Sequence, residues 1–131
     1  MSDLRERIQL AAMSVASAGA TRILVYSEVA DGRASADVFS QLPGKPTVGY
    51  SFATPELRDL VQAYWEAGEG EVAARGWAAM SFIVDGAHIT TEFVEPALLD
   101  AQETLEQRRP RAAALCFPGT PVDYSQPYAW R

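Results

Sequence analysis

Residues 75–96, RGWAAMSFIVDGAHITTEFVEP, decide how the chain is read, because two apolar-rich runs meet there at Asp85-Gly86. An Asp-Gly pair tolerates the positive φ angles of a tight turn, so the stretch predicts a β-hairpin. With a two-residue turn at Asp85-Gly86, Val84 pairs with Ala87, Phe82 with Ile89, Met80 with Thr91 and Ala78 with Phe93, and that face is apolar. The reverse face sets Ile83 against His88, Ser81 against Thr90, Ala79 against Glu92 and Trp77 against Val94. His88 is the only histidine of the chain and shares this more polar face with Glu92. Four residues along one strand span roughly 13 Å at about 3.3 Å per residue, too far for a hydrogen bond. The hairpin by itself assembles no catalytic pair.

Working outward, TRILVYSEVADGRASADVFSQ at 21–41 repeats the pattern around Asp31-Gly32 and predicts a first hairpin. Its register sets Val29 against Ala34, Ser27 against Ala36, Val25 against Val38 and Ile23 against Ser40, a mostly apolar face. Leu24, Tyr26, Glu28, Ser35, Asp37 and Phe39 fall on the other face. LPGKP at 42–46 is a turn, and TVGYSF at 47–52 supplies a further strand. Before these, Leu4, Ile8, Ala11, Ala12 and Val15 recur at helical spacing, so residues 3–18 read as an amphipathic helix behind Ser2, with Gly19 as its stop. Thr54-Pro55 is a helix entry, a hydroxyl cap before a proline at the first helical position, and the helix it opens buries Leu57, Leu60, Val61 and Tyr64 beside Trp65. GEGEVAARG at 68–76 reads as a loop. Leu98, Ala101 and Leu105 predict a third helix over 97–109 that Pro110 ends or kinks, while AAALCF is too short to assign and the tail from about residue 121 reads as irregular.

These elements predict one domain over residues 1–131 of the α+β class, an antiparallel sheet of about five strands with helices packed on one face and the other face open. Hydrophobic residues make up 48% of the chain, enough for a core. No run approaches the roughly 18 apolar residues of a membrane span. The opening MSDLRERIQLAAMSVASAGA interleaves charged and apolar residues, unlike a secretory leader, so a soluble cytoplasmic protein is expected.

Cys116 is the only cysteine, which excludes an internal disulfide and a multi-thiolate zinc site within one chain. No serine elbow, calcium loop or phosphate cradle is present, so no cofactor or metal is expected. Asp and Glu number 17 against 11 Lys and Arg, a formal charge of −6 that argues against direct nucleic-acid binding and favours a basic partner. Tyr26, Glu28 and Asp37 on the first hairpin, with the acidic group Glu66, Glu69 and Glu71 around the end of the second helix, are the candidate partner-binding residues. An aromatic ring beside carboxylates suits an interface with an arginine- or lysine-rich surface. The plain alternative for each is a solvated polar face. Arg108, Arg109 and Arg111 are expected to pair with helix carboxylates or to cap a helix end rather than bind phosphate.

The ordered features resemble the YezG-like immunity proteins, small bacterial proteins that neutralise a cognate toxin, often a nuclease. The resemblance spans about residues 4–122. It runs through the first helix, ILVYSEV with ADVF, the helix bearing Tyr64-Trp65, Trp77 opening WAAMSFIVDG, ITTEFVEP, Arg108-Arg109 and FPGTPVD. The chain departs from that pattern at Ala36, Asp37 and Val38, where the family is richer in tyrosine and phenylalanine. It departs again at Glu92-Phe93-Val94-Glu95, where the family often alternates aromatic, acid and aromatic residues. The resemblance implies a binding protein without catalytic residues, whose acidic groups meet a toxin's basic surface; a monomer and a homodimer both stay open. A small acidic secretion chaperone or adaptor shares the same size, acidity and class, and a small enzyme using His88 is the third reading.

Overall fold

The computed structural model describes residues 3–16, 19–68, 76–99 and 102–124. Helix α1 (Asp3–Val15) precedes strands β1 (Arg22–Ala30), β2 (Arg33–Ala34), β3 (Asp37–Gln41) and β4 (Val48–Phe52). Helix α2 (Pro55–Ala67) leads to β5 (Ala79–Asp85) and β6 (His88–Val94). A 3-10 turn (Pro96–Leu98), helix α3 (Leu105–Cys116) and β7 (Val122–Asp123) complete the described elements.

The first hairpin keeps the register its sequence predicts at Val29 with Ala34, Val25 with Val38 and Ile23 with Ser40. Asp31 at φ 53° and Gly32 at φ 74° form the loop, the two positive angles of a type I′ turn. From α2, Gln62 holds this turn: its Oε1 accepts from Ala34 N–H at 2.7 Å and its Nε2 donates to Gly32 O at 2.8 Å.

The second hairpin forms with its pairing shifted by two residues. Its loop is Gly86-Ala87, and Val84 pairs with Ile89, Phe82 with Thr91, Met80 with Phe93 and Asp85 with His88. Gly86 takes φ 63° while Ala87 keeps a negative φ, the pattern of a turn with glycine in its first central place. Asp85 stays in the ladder, where its carboxylate accepts from Arg22 Nη2 at 2.8 Å. A two-residue shift leaves every side chain on its expected face.

The sheet runs β6-β5-β1-β3-β4-β7, with β2 paired to β1. All its pairings are antiparallel except β4 with β7, where Val48 lies beside Val122. The sheet is therefore mixed and larger than the antiparallel one of about five strands expected from sequence. The tail after residue 120 is not wholly irregular: Val48 N–H donates to Pro121 O at 2.8 Å and seats β7. Residues 125–131, like Ser2 and the segment 69–75, lie outside the described residues.

Helices cover both faces. On one, Ile8, Ala11 and Ala12 of α1 and Leu57, Leu60, Val61 and Tyr64 of α2 pack on Ile23, Val25, Val38, Met80, Phe82 and Val84, with Trp77 buried among them. Thr54 caps α2 as expected, its Oγ1 accepting from Leu57 N–H at 3.2 Å. On the other face, Leu24, Tyr26, Phe39, Val48, Tyr50 and Ala79 meet Ala113 and Cys116 of α3 and the following Phe117. The expectation of an open second face fails because Leu24, Phe39 and Val48 carry too much apolar surface to leave in water.

Helix α3 also begins later than the periodicity suggests and runs through Pro110. Its entry is a capping box, with Gln107 Oε1 accepting from Thr104 N–H at 2.9 Å. The missing Pro110 N–H leaves the Glu106 carbonyl without its helical donor, yet the helix continues to Cys116 because Ala113, Cys116 and Phe117 are needed as cover.

Candidate functional site

Three of the residues singled out by sequence lie together beneath α3. Tyr26, Glu28 and Asp37 are 6%, 7% and 6% exposed, so the solvent-facing acidic surface expected of them is not what the fold builds. Strand alternation puts Tyr26 and Glu28 on one face of β1, and Tyr26 pairs across the strands with Asp37 of β3. Helix α3 then lays two adjacent arginines over the two acids. Arg108 donates from Nε to Glu28 Oε2 at 2.6 Å and from Nη2 to Glu28 Oε1 at 2.8 Å, a two-pronged pair, while its Nη1 reaches Glu103 O at 2.6 Å. Tyr26 donates its hydroxyl to the same Glu28 Oε2 at 2.6 Å.

The second unit repeats this chemistry one helix position on. Tyr50 of β4 donates to Asp37 Oδ1, and Arg109 Nη1 sits 3.3 Å from Asp37 Oδ1 and 3.2 Å from the Tyr50 oxygen. The Arg109 guanidinium also lies over the rings of Tyr50 and Tyr124, 5.1 and 5.7 Å from their centroids. Each acid thus has one arginine and one tyrosine, the arrangement that makes a buried carboxylate tolerable. Burial, followed by the Glu28 acceptor, pushes the Tyr26 hydroxyl above its ordinary range, and Tyr50 moves the same way through burial and then Asp37. Burial pushes the Asp37 carboxyl up against the downward pull of Tyr50 and Arg109.

The expectation that the arginines pair with helix carboxylates fails: Arg111 pairs with Glu103, which precedes α3, and Arg108 and Arg109 pair with acids of the sheet. Glu66 lies exposed on α2, on the opposite side of the sheet, with its Oε2 accepting from Gln62 Nε2 at 3.1 Å. It does not join Tyr26, Glu28 and Asp37. Glu69 and Glu71 lie outside the described residues.

The remaining candidates for chemistry are Cys116 and His88. Burial pushes the Cys116 thiol up to about 11, the wrong direction for a nucleophile. His88 is exposed at the start of β6, opposite Asp85. Among the described residues no group of three or more His, Cys, Asp or Glu side chains could hold a metal ion, and no helix is long and apolar enough to cross a membrane.

What sequence reasoning missed is a groove. It holds about 480 Å³ between α3, the 3-10 turn and the β5–β6 hairpin, with Ile83, Val94, Leu99 and Ala112 in its walls. Leu98 and Leu115 also line it and are 73% and 79% exposed. Glu92, Glu103 and Arg111 add charge along it, and Tyr26 and Arg108 reach it from the buried network. A smaller hollow of about 380 Å³ lies over Tyr50, Phe52, Arg109, Pro110 and Tyr124. The exposed leucines were visible in the sequence, but their meeting depends on where α3 starts. No family model and no curated protein matches the chain.

Proposed function

We propose that this chain is a non-catalytic binding protein of the immunity type, which neutralises a cognate bacterial toxin in the cytoplasm by contact. The observation that carries the reading is the apolar groove with Leu98 and Leu115 exposed along it. Two large leucines held in water beside a rimmed apolar channel are costly to a monomer and useful to an interface. The formal charge of −6 adds attraction for a basic toxin surface such as that of a nuclease domain. The buried Arg108–Glu28 and Arg109–Asp37 pairs serve this surface indirectly, by fixing α3 as one wall of the groove. The resemblance to YezG-like immunity proteins supports the toxin as the class of partner.

The test is capture from the native cell with this chain as bait, followed by expression of each captured partner alone, with the chain, and with a Leu98→Asp/Leu115→Glu variant. A partner that kills alone, is silenced by the chain and escapes the variant supports immunity through the groove. Silencing by the variant as well would reject the groove. Capture of an unfolded secreted protein that is harmless alone would favour the secretion chaperone.

A further inference from the structure

Strand β6 ends the sheet order, with β5 on one side and no strand among the described residues on the other. The residues that close a two-residue hairpin loop, here Asp85 and His88, exchange both backbone hydrogen bonds. Counting along β6, His88, Thr90, Glu92 and Val94 therefore turn their N–H and C=O groups toward β5, and Ile89, Thr91 and Phe93 turn theirs outward. Arg5 of α1 marks the outward direction, with Nη2 3.4 Å from Ile89 O. The strand HITTEFV contains no proline or lysine, the residues that natural sheets use to blunt an edge.

We propose that β6 pairs with β6 of a second copy of this chain, antiparallel about a two-fold axis at Thr91, so that two sheets become one. Thr91 is the midpoint of the seven-residue strand, so every residue of β6 gains a partner in this register. Thr91, Ile89 and Phe93 carry the outward backbone groups that such a pairing uses. On the side facing α1 and α2, Ile89 meets Phe93 of the second copy twice, an aliphatic–aromatic pair of the kind that stabilises sheets. On the other side, Thr90 meets Glu92 of the second copy and His88 meets Val94. His88 then lies diagonal to Glu92 of the second copy, so the imidazole and carboxylate that one chain separates along its strand become neighbours across the axis. No two like charges fall opposite. A two-fold at Glu92 would set Glu92 against Glu92 of the second copy, and one at Thr90 would set Phe93 against Ala87 of the hairpin loop, so the neighbouring registers lose pairing. Arg5 yields Ile89 O to the Phe93 N–H of the second copy. This pairing does not depend on the toxin, although it shares Glu92 and Val94 with the rim of the groove.

Sedimentation of the full chain over a concentration series tests it, with Thr90→Glu and Thr90→Arg as paired variants. Thr90 is exposed, so neither change disturbs the monomer core. The register predicts a dimer that T90E weakens by about tenfold or more, because a carboxylate is placed against Glu92 at two symmetric positions, and that T90R strengthens. Thr91→Pro removes an outward N–H and abolishes the dimer while the thermal melt of the monomer persists. A chain that stays monomeric at every concentration would overturn the proposal, as would a dimer indifferent to all three variants.

Discussion

Arg108 grips both carboxylate oxygens of Glu28, at 2.6 and 2.8 Å, across 80 residues of sequence. One interaction thereby joins the first strand to the last helix and takes up a carboxylate that would otherwise meet solvent. Side-chain exposures of 14% for Arg108 and 9% for Glu28 place the pair where water screens it poorly. Losing one partner there leaves the other charge buried without its counter-ion.

Asp37 makes stability depend on pH in a defined direction. Burial raises its folded carboxyl above the unfolded value, more than Tyr50 and Arg109 lower it. The native state then holds this proton more readily than the unfolded chain does. Its contribution is fully present below the unfolded pKa, about 4, and is lost as pH rises through the folded value. Asp37→Asn keeps an oxygen for the Tyr50 hydroxyl and cannot ionise. Denaturant unfolding across pH 3 to 7, roughly the carboxylate range and above, is expected to show a shallower fall for D37N than for the parent chain. Parallel curves would refute the assignment.

Gly86 sits at φ 63° with no heavy atom within 4 Å of where a Cβ would stand. Gly86→Ala therefore meets no clash, and its cost is backbone alone, about 1 kcal/mol or more. Equilibrium unfolding measures it. A neutral substitution would mean that Gly86 does not hold the positive φ of the described turn.

Cys116 is buried, and its thiol is pushed up to about 11. At neutral pH a thiol reagent is expected to modify the folded chain orders of magnitude more slowly than the chain in urea, because the thiolate is the reacting form. Equal rates in the two states would place Cys116 in the open, and with it the end of α3.

Most of the α1–α2 side was legible in the sequence. Leu57, Leu60, Val61 and Tyr64 are buried as their spacing implied, and the first hairpin follows its Asp-Gly because the turn and the alternation agree. The second hairpin was legible in its faces but not its register, since Asp85-Gly86 and Gly86-Ala87 are both acceptable loops; in the loop adopted, Asp85 stays in the ladder beside Arg22. Helix α3 was obscured by Pro110, which reads as an end or a kink. Its true start lay in Thr104 and Gln107, a capping signal three residues apart. The candidate site was half visible: Tyr26, Glu28 and Asp37 do form a cluster, but their arginines lie 72 and 80 residues away. Only packing of α3 on the sheet could assign those partners, and without it carboxylates on a strand face look solvated.

The most direct measurement is a double-mutant cycle on that helix–sheet tie, comparing the unfolding free energies of the parent, Glu28→Gln, Arg108→Met and the double variant. If α3 is held by this pair, each single change costs about 3 kcal/mol, and the double variant falls short of their sum by about 2 kcal/mol. Additive costs would contradict the account, returning Glu28 to solvent and leaving the groove without a fixed wall.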